Sequence, residues 1–204
     1  MPIDADLIHR CADPSLTPAI VETFLKTAGS TDPLSVTVRS GNRVILVPVA
    51  KTPDEALATI RAHVGQAVVR VGVTQYPVGI GIKDPSEISP DLLDACSNLR
   101  LGTALFGKVW RIVLNWYGNP IDESVLPQVL EDATEAWKSG RFEGSSVFTA
   151  TDPGPSKVSN MEVESGEAPA TAGEPSGIPS ETSVTPPNEA GIRVDLSGIG
   201  KHMP

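Results

Sequence analysis

Residues 52–75 read TPDEALATIRAHVGQAVVRVGVTQ, and the period of the apolar residues changes partway along. Thr52 is placed to cap a helix, Pro53 to occupy its first position and Glu55 to complete a capping box. Leu57, Ile60 and Val64 then recur at helical spacing, and Gly65 is placed to stop the helix. From Ala67 the spacing gives way to AVVRVGVTQ, a β-branched run that predicts a buried strand, broken only by Arg70. A helix that feeds a strand within two dozen residues points to mixed architecture, so the flanking sequence decides which kind.

Upstream, residues 34–49 read LSVTVRSGNRVILVPV. Two β-branched runs around SGN predict an antiparallel hairpin with a short Gly-containing turn, and Pro48 suits a strand end or an edge. Before it, DADLIHRCAD predicts a short helix ended at Pro14. A second helix follows, with Ser15 as its expected N-cap, an apolar stripe of Leu16, Ile20, Val21, Phe24 and Leu25, and Gly29 as its stop.

Downstream, residues 76–88 read YPVGIGIKDPSEI. They fit a short strand at 78–82 or a structured loop, because Gly79 and Gly81 weaken the strand pattern. Ser89 and Pro90 repeat the cap-and-proline pattern and open a long helix that Gly118, Asn119 and Pro120 end. Its core face runs through Leu92, Cys96, Leu99, Thr103, Phe106, Trp110 and Val113. Gly102 and Gly107 each cost about 1 kcal/mol relative to Ala in a helix interior, so close packing is expected there. A last helix, roughly 121–138, carries Val125, Val129, Ala133, Ala136 and Trp137. The order α-α-β-β-α-β-(β)-α-α predicts a small α+β domain, a three- or four-stranded sheet with about five helices against it.

Composition divides the 204 residues near position 150. Residues 151–204 hold no aromatic side chain but eight Pro and seven Gly, with a net charge of −5 against −4 for residues 1–150. A segment so poor in apolar groups cannot offset its conformational entropy by burial, so a disordered C-terminal tail is expected. The expected division is a globular domain over 1–150, a Pro/Ser/Glu/Gly-rich linker over 151–190 and a short docking motif over 191–204. That motif rests on GIRVDLSGI at 191–199. Ile192, Val194 and Leu196 alternate and Ile199 follows, the pattern of an extended segment that adds to a sheet edge in a partner or in the chain itself.

The net charge of −9 argues against a protein that coats nucleic acid. No run approaches the roughly 20 apolar residues needed to span a bilayer, and no export signal is visible at the N-terminus, so the expected compartment is the cytoplasm. Cys11 and Cys96, 85 residues apart without clustering, are accordingly expected to be reduced thiols.

No constellation declares a reaction. Cys96 with His63 resembles a nucleophile–base pair, but Cys96 lies on the apolar face and reads as a small core residue, while His63 sits where a helix-terminal side chain meets free carbonyls. His9 and Cys11 have no further metal ligand nearby. VGIGIK at 78–83 lacks the Lys-Ser/Thr pair of a phosphate loop and reads as a turn or bulge. The acidic residues Asp84, Glu87, Asp91 and Asp94 suit a helix start and its solvated face. Arg100, Lys108 and Arg111 make a thin stripe that reads as solvated, and Trp116 and Tyr117 read as a staple for the following turn. No catalytic residue, cofactor or metal is expected.

Four stretches carry a resemblance: CADPSLTPAIVETFL (11–25), VVRVGVTQYPVGIGIKDPSEI (68–88), DLLDACSNLRLGTALFGKVWRIVLNWYGNP (91–120) and AWKSGRFEGSSVF (136–148). Together they resemble the conjugal transfer protein TraH family of alpha-proteobacterial plasmids and symbiosis elements, encoded beside the conjugative relaxase and transfer genes. The resemblance implies a role in plasmid conjugation and brings no catalytic residues. Two functional classes follow. One is a non-enzymatic accessory protein with a tethered docking segment, whose partners are other transfer proteins such as the relaxase or the coupling apparatus, with little direct contact to nucleic acid. The other is a small cytoplasmic hydrolase or transferase with a site near the 76–84 loop.

Overall fold

The computed structural model describes residues 4–154 except Lys83, Ile121 and Glu123. Five helices and a four-stranded antiparallel sheet make an α+β fold, in the order expected. Helices α1 (Ala5–Cys11) and α2 (Pro18–Ala28) precede strands β1 (Val36–Ser40) and β2 (Arg43–Ile45). Helix α3 (Pro53–His63), strands β3 (Val68–Val71) and β4 (Tyr76–Val78), and two 3₁₀ turns at Pro85–Glu87 and Pro90–Leu93 follow. Helices α4 (Ala95–Trp116) and α5 (Leu126–Ser139) and a small hairpin, β5 (Arg141–Phe142) with β6 (Ser145–Ser146), complete the described residues.

The sheet order is β2-β1-β3-β4, so β2 and β4 are its edges. Register places Val38 opposite Val69 on β3 and Ile45 on β2, and Val69 opposite Val78. Side chains alternate along a strand. Val38, Val69, Val71 and Val78 therefore share one face, where they bury against Ala56, Leu57 and Ile60 of α3 and Ile88, Leu92 and Leu93 of the 3₁₀ turns. Thr37 and Arg70, opposite each other in register, occupy the other face.

A second core joins α1, α2, α4 and α5. Phe24 and Phe106 stack with ring centroids 4.0 Å apart, and Trp137 meets both edge-on at 5.2 and 6.0 Å. Between the two cores lies a polar seam. The Asn98 amide group donates to Val71 O (3.0 Å) and Leu92 O (2.8 Å) and accepts from the Thr74 amide (2.9 Å) and hydroxyl (2.8 Å). The Trp137 indole donates to Thr74 O (3.1 Å). The Asn98, Thr74 and Trp137 side chains are thus matched, as buried amides and hydroxyls require.

Several boundaries shift from those expected, each through local chemistry. Thr17, with Pro18 behind it, holds the N-cap position of α2 without a side-chain capping bond, while Ser15 bonds to Asp13 instead. Ser89 and Pro90 open only a 3₁₀ turn; the Asp94 carboxylate accepts from the Ser97 amide at 2.8 Å and starts α4 five residues later. The last helix begins at Leu126 rather than near 121, and Asp122 accepts from the Ser124 amide in the turn before it. Strand β4 occupies 76–78, ahead of the glycines, rather than 78–82. Thr52 does cap α3, and the Glu55 carboxylate accepts from the Lys51 amide at 2.7 Å, closing the expected box one residue further back.

The expectation of two reduced thiols is overturned. Docking of α1 on α4 brings Cys11 and Cys96 to a Cα separation of 5.2 Å, joined in a disulfide. A bridge that closes a loop of this length stabilises by about 2–4 kcal/mol. Reduction should lower the thermal midpoint by on the order of 10 °C, with a mass increase of two hydrogens. An unchanged midpoint on confirmed reduction would show that the bridge contributes nothing.

The close packing expected at the glycines of α4 is present. A Cβ at Gly102 would sit 2.2 Å from Thr74 Oγ1 and 2.4 Å from its Cβ. Gly102→Ala should therefore cost about 1–3 kcal/mol by overpacking, although Ala is the better helix former; denaturant unfolding measures the sign directly.

Candidate functional site

The residues singled out from sequence do not converge. Ile192, Val194, Leu196 and Ile199 lie outside the described residues. Cys96 is engaged with Cys11 and is no free nucleophile. His63 spends Nδ1 on Thr59 O (2.9 Å) at the end of α3. In the 76–84 stretch Pro77 and Val78 are buried in β4. The ionisable side chains described there are Tyr76 and Asp84. Burial pushes the Tyr76 phenol up, and the Ser86 backbone amide holds the Asp84 carboxyl down. Both shifts lead away from the neutral range that suits a general acid or base. Among the described residues no three His, Cys, Asp or Glu side chains could jointly hold a metal ion.

The basic stripe on α4 has a structural use. Lys108 Nζ donates to Phe148 O (3.0 Å), and Arg111 forms a two-point ion pair with Asp152, Nε to Oδ1 at 2.9 Å and Nη2 to Oδ2. The two cations strap residues 148–152 along the helix, leaving Arg100 exposed. Tyr117 donates to Asp132 Oδ2 (2.6 Å) and so ties the end of α4 to α5, as a staple should. Trp116 is 58% exposed and leans edge-on against Tyr117 and Phe142.

Arg111 holds the Asp152 carboxyl down to about 2. A folded-state pKa below the unfolded value means that the pair's contribution is present above about pH 4 and is lost as pH falls toward 2. Asp152→Asn at neutral pH should mimic the acid state and release the strap. Raised proteolysis near residue 150 would report it, with little change in midpoint because exposed pairs are worth about 0–1 kcal/mol.

Two concavities are present on the described surface. The larger, about 1030 Å³, lies between α2 and α5, floored by Ile20, Trp110, Leu126 and Leu130 and rimmed by Thr23, Glu131 and Lys138. The smaller, about 410 Å³, opens where the C-terminal ends of α2 and α5 meet the β1–β3 face. Arg39, Arg70 and Lys138 line it with Ser30, Ser35, Thr37 and Gln75, and no carboxylate does.

Arg70 is the feature whose significance sequence reading missed. It appeared only as an interruption in an apolar strand. The residue is 7% exposed, and its guanidinium donates from Nη2 to Trp137 O (2.6 Å) and Lys138 O (3.0 Å), and from Nη1 to Gln75 O (3.1 Å). It also lies 5.9 Å from the Trp137 ring centroid and 5.7 Å from that of Phe148. Burial, reinforced by Arg39, lowers its pKa to about 10.

A family model, TraH_2, matches residues 2–201. This chain belongs to the TraH_2 family. Among its relatives is the "Uncharacterized protein y4dP" of Sinorhizobium fredii (strain NBRC 101917 / NGR234), 54% identical over 203 residues that cover 97% of this chain and 98% of the relative. No solved structure matches. The family match spans all four stretches that carry the resemblance, including the β3–β4 segment and the whole of α4. None of the described helices is long and apolar enough to cross a membrane.

Proposed function

We propose that this TraH_2 chain is a cytoplasmic, non-enzymatic accessory protein of plasmid conjugation, which binds other transfer proteins through exposed sheet edge and tail. Membership of the family supports the conjugal role. The observation that carries the interaction reading is the β2 edge. β2 pairs on one side only, with β1; Val44 on it is 60% exposed, and Leu46 and Val49 in the irregular segment that follows are 94% and 82% exposed. An unpaired strand with exposed aliphatics offers backbone hydrogen bonds and alternate side-chain contacts to an added strand. The occupant proposed is an extended segment of another transfer protein. The motif over 191–204, with Ile192, Val194, Leu196 and Ile199 as its contacts, is the proposed second docking element, carried by the 151–190 linker beyond the domain over 1–150. The hydrolase or transferase alternative, with a site near the 76–84 loop, has no comparable observation in its favour, and β4 takes up Tyr76–Val78 of that stretch.

Affinity capture from donor cells tests this reading, with transfer frequency as a second measure. Leu46→Lys with Val49→Lys should leave the thermal midpoint unchanged, because both side chains are exposed, yet lose captured transfer proteins. Ile192→Asp with Leu196→Asp should do the same through the second element. Undiminished capture and transfer in both double variants would overturn the proposal. Alkylation trapping in the same cells should find Cys11 and Cys96 bridged, as they are in the fold; two alkylated thiols, the state a reducing cytoplasm favours, would show that the bridge does not form there.

A further inference from the structure

The lining of the smaller concavity differs in sign from the chain around it. The protein carries a net charge of −9, yet three cations and no carboxylate line this cleft. Among the described residues Arg70 makes no salt bridge, and its buried Nε–H has no hydrogen-bond partner. A guanidinium stays charged at neutral pH, and a buried charge is costly without a counter-charge. Three carbonyls and two aromatic faces solvate it, but none supplies a full negative charge.

The neighbouring polar groups are set to donate. Ser35 Oγ accepts from Gln75 Nε2 (3.2 Å), and Ser30 Oγ accepts from the Asp32 amide (3.1 Å). Neither hydroxyl proton has an acceptor among the described residues, so each hydroxyl has its proton to give. Thr37 donates to Gln75 Oε1 (2.8 Å), which fixes the Gln75 amide orientation that the Ser35 bond requires. Lys138 keeps an exposed pair with Glu135 at 3.4 Å, which costs little to release.

We propose that this cleft binds the phosphate group of a small phosphate monoester, held by Arg39, Arg70 and Lys138 with the Ser30 and Ser35 hydroxyls. A phosphate monoester carries about −1.5 to −2 charges and three acceptor oxygens at neutral pH, which matches three cations and two hydroxyl donors better than a singly charged carboxylate does. The volume lies at the low end of small-molecule sites, enough for a phosphate with a small organic remainder. The acidic chain repels a long polyanion, so a small ester is favoured over a nucleic-acid strand.

Capping of α5 accounts for the bonds from Arg70 to Trp137 O and Lys138 O. It does not account for Arg39 and Lys138 beside it, nor for the lack of any acid in the lining. Those two side chains are exposed, so replacing them leaves the cap and the core intact.

The test titrates the full chain with inorganic phosphate and with a nucleoside 5′-monophosphate at pH 7.5 and constant ionic strength, with acetate as the control. Calorimetry should show saturable binding of both phosphates, and the Arg70 Nε–H resonance should shift on saturation. Arg39→Gln with Lys138→Gln should bind about a hundredfold more weakly, each lost charge-assisted contact being worth about a factor of ten, at an unchanged thermal midpoint without ligand. Absence of saturable binding, an acetate response equal to that of phosphate, or unweakened binding in the double variant would each overturn the assignment. The result is independent of the conjugal role, because it needs no partner protein.

Discussion

Arg70 reaches out of the middle of the sheet and donates to the last carbonyls of α5, 67 and 68 residues further along the chain. This bond set is the point on which the two halves of the molecule meet. The strand bearing Arg70 buries Val69 and Val71 against α3, while Trp137, whose carbonyl it holds, is the centre of the helical core. Helix C-termini leave carbonyls without intrahelical donors, and a cation there also meets the negative end of the helix dipole. One guanidinium thus satisfies carbonyls that would otherwise be stranded in a dry interior. Substituting an apolar residue would lose the cation and leave these acceptors unpaired, the costlier kind of change in a buried polar network.

Asn98 performs the matching task at the other end of the seam. It lies within α4, where a short polar side chain is ordinarily neutral to unfavourable, and bonds to residues from the β3–β4 turn and the preceding 3₁₀ turn. The approach is close because glycines stand opposite. Gly72, at φ +73°, leaves room for the Asn98 amide, which a Cβ would meet at 2.3 Å, and Gly102 leaves room for Thr74. Helix α4 is also the spine for both ends of the described chain. Cys11 bonds to Cys96, the Asp13 amide donates to Thr103 Oγ1 (2.8 Å), and Lys108 and Arg111 hold the residues from Phe148 to Asp152. Its 22 residues therefore have little freedom to move without shifting both cores.

The architecture was legible in sequence because it rests on local signals. Thr52, Pro53 and Glu55 specify the start of α3, SGN specifies the hairpin, and the 3–4 spacing from Leu99 to Val113 specifies the buried side of α4. The errors fall where two local signals compete. Ser89–Pro90 and Asp94 are both good helix starts, and the later one prevails because Leu92 and Leu93 must turn inward to reach α3 and the sheet. The Cys11–Cys96 bridge left no local trace, since it depends on α1 docking 85 residues away. The Arg70 cleft was equally hidden. Its residues come from four separated segments, and single Ser, Thr, Arg and Lys side chains in strands and helix ends are unremarkable until the fold gathers them.

The charge distribution gives this gathering its consequence. Carboxylates are spread over both halves of the sequence, and near Arg111 and Tyr117 the fold sets an acid beside the cationic or hydroxyl group. At the β1–β3 face it does the opposite, placing Arg39 where it adds to the cost of the Arg70 charge. Like charges held together in a partly desolvated cleft focus the local potential, while the surrounding acidic surface sets the long-range field. An anion small enough to enter meets the cleft's attraction at short range, whereas an extended polyanion must first cross the field of the whole chain. The fold thereby selects by the size of the anion as well as by its charge, through the same buried guanidinium that joins the sheet to the helices.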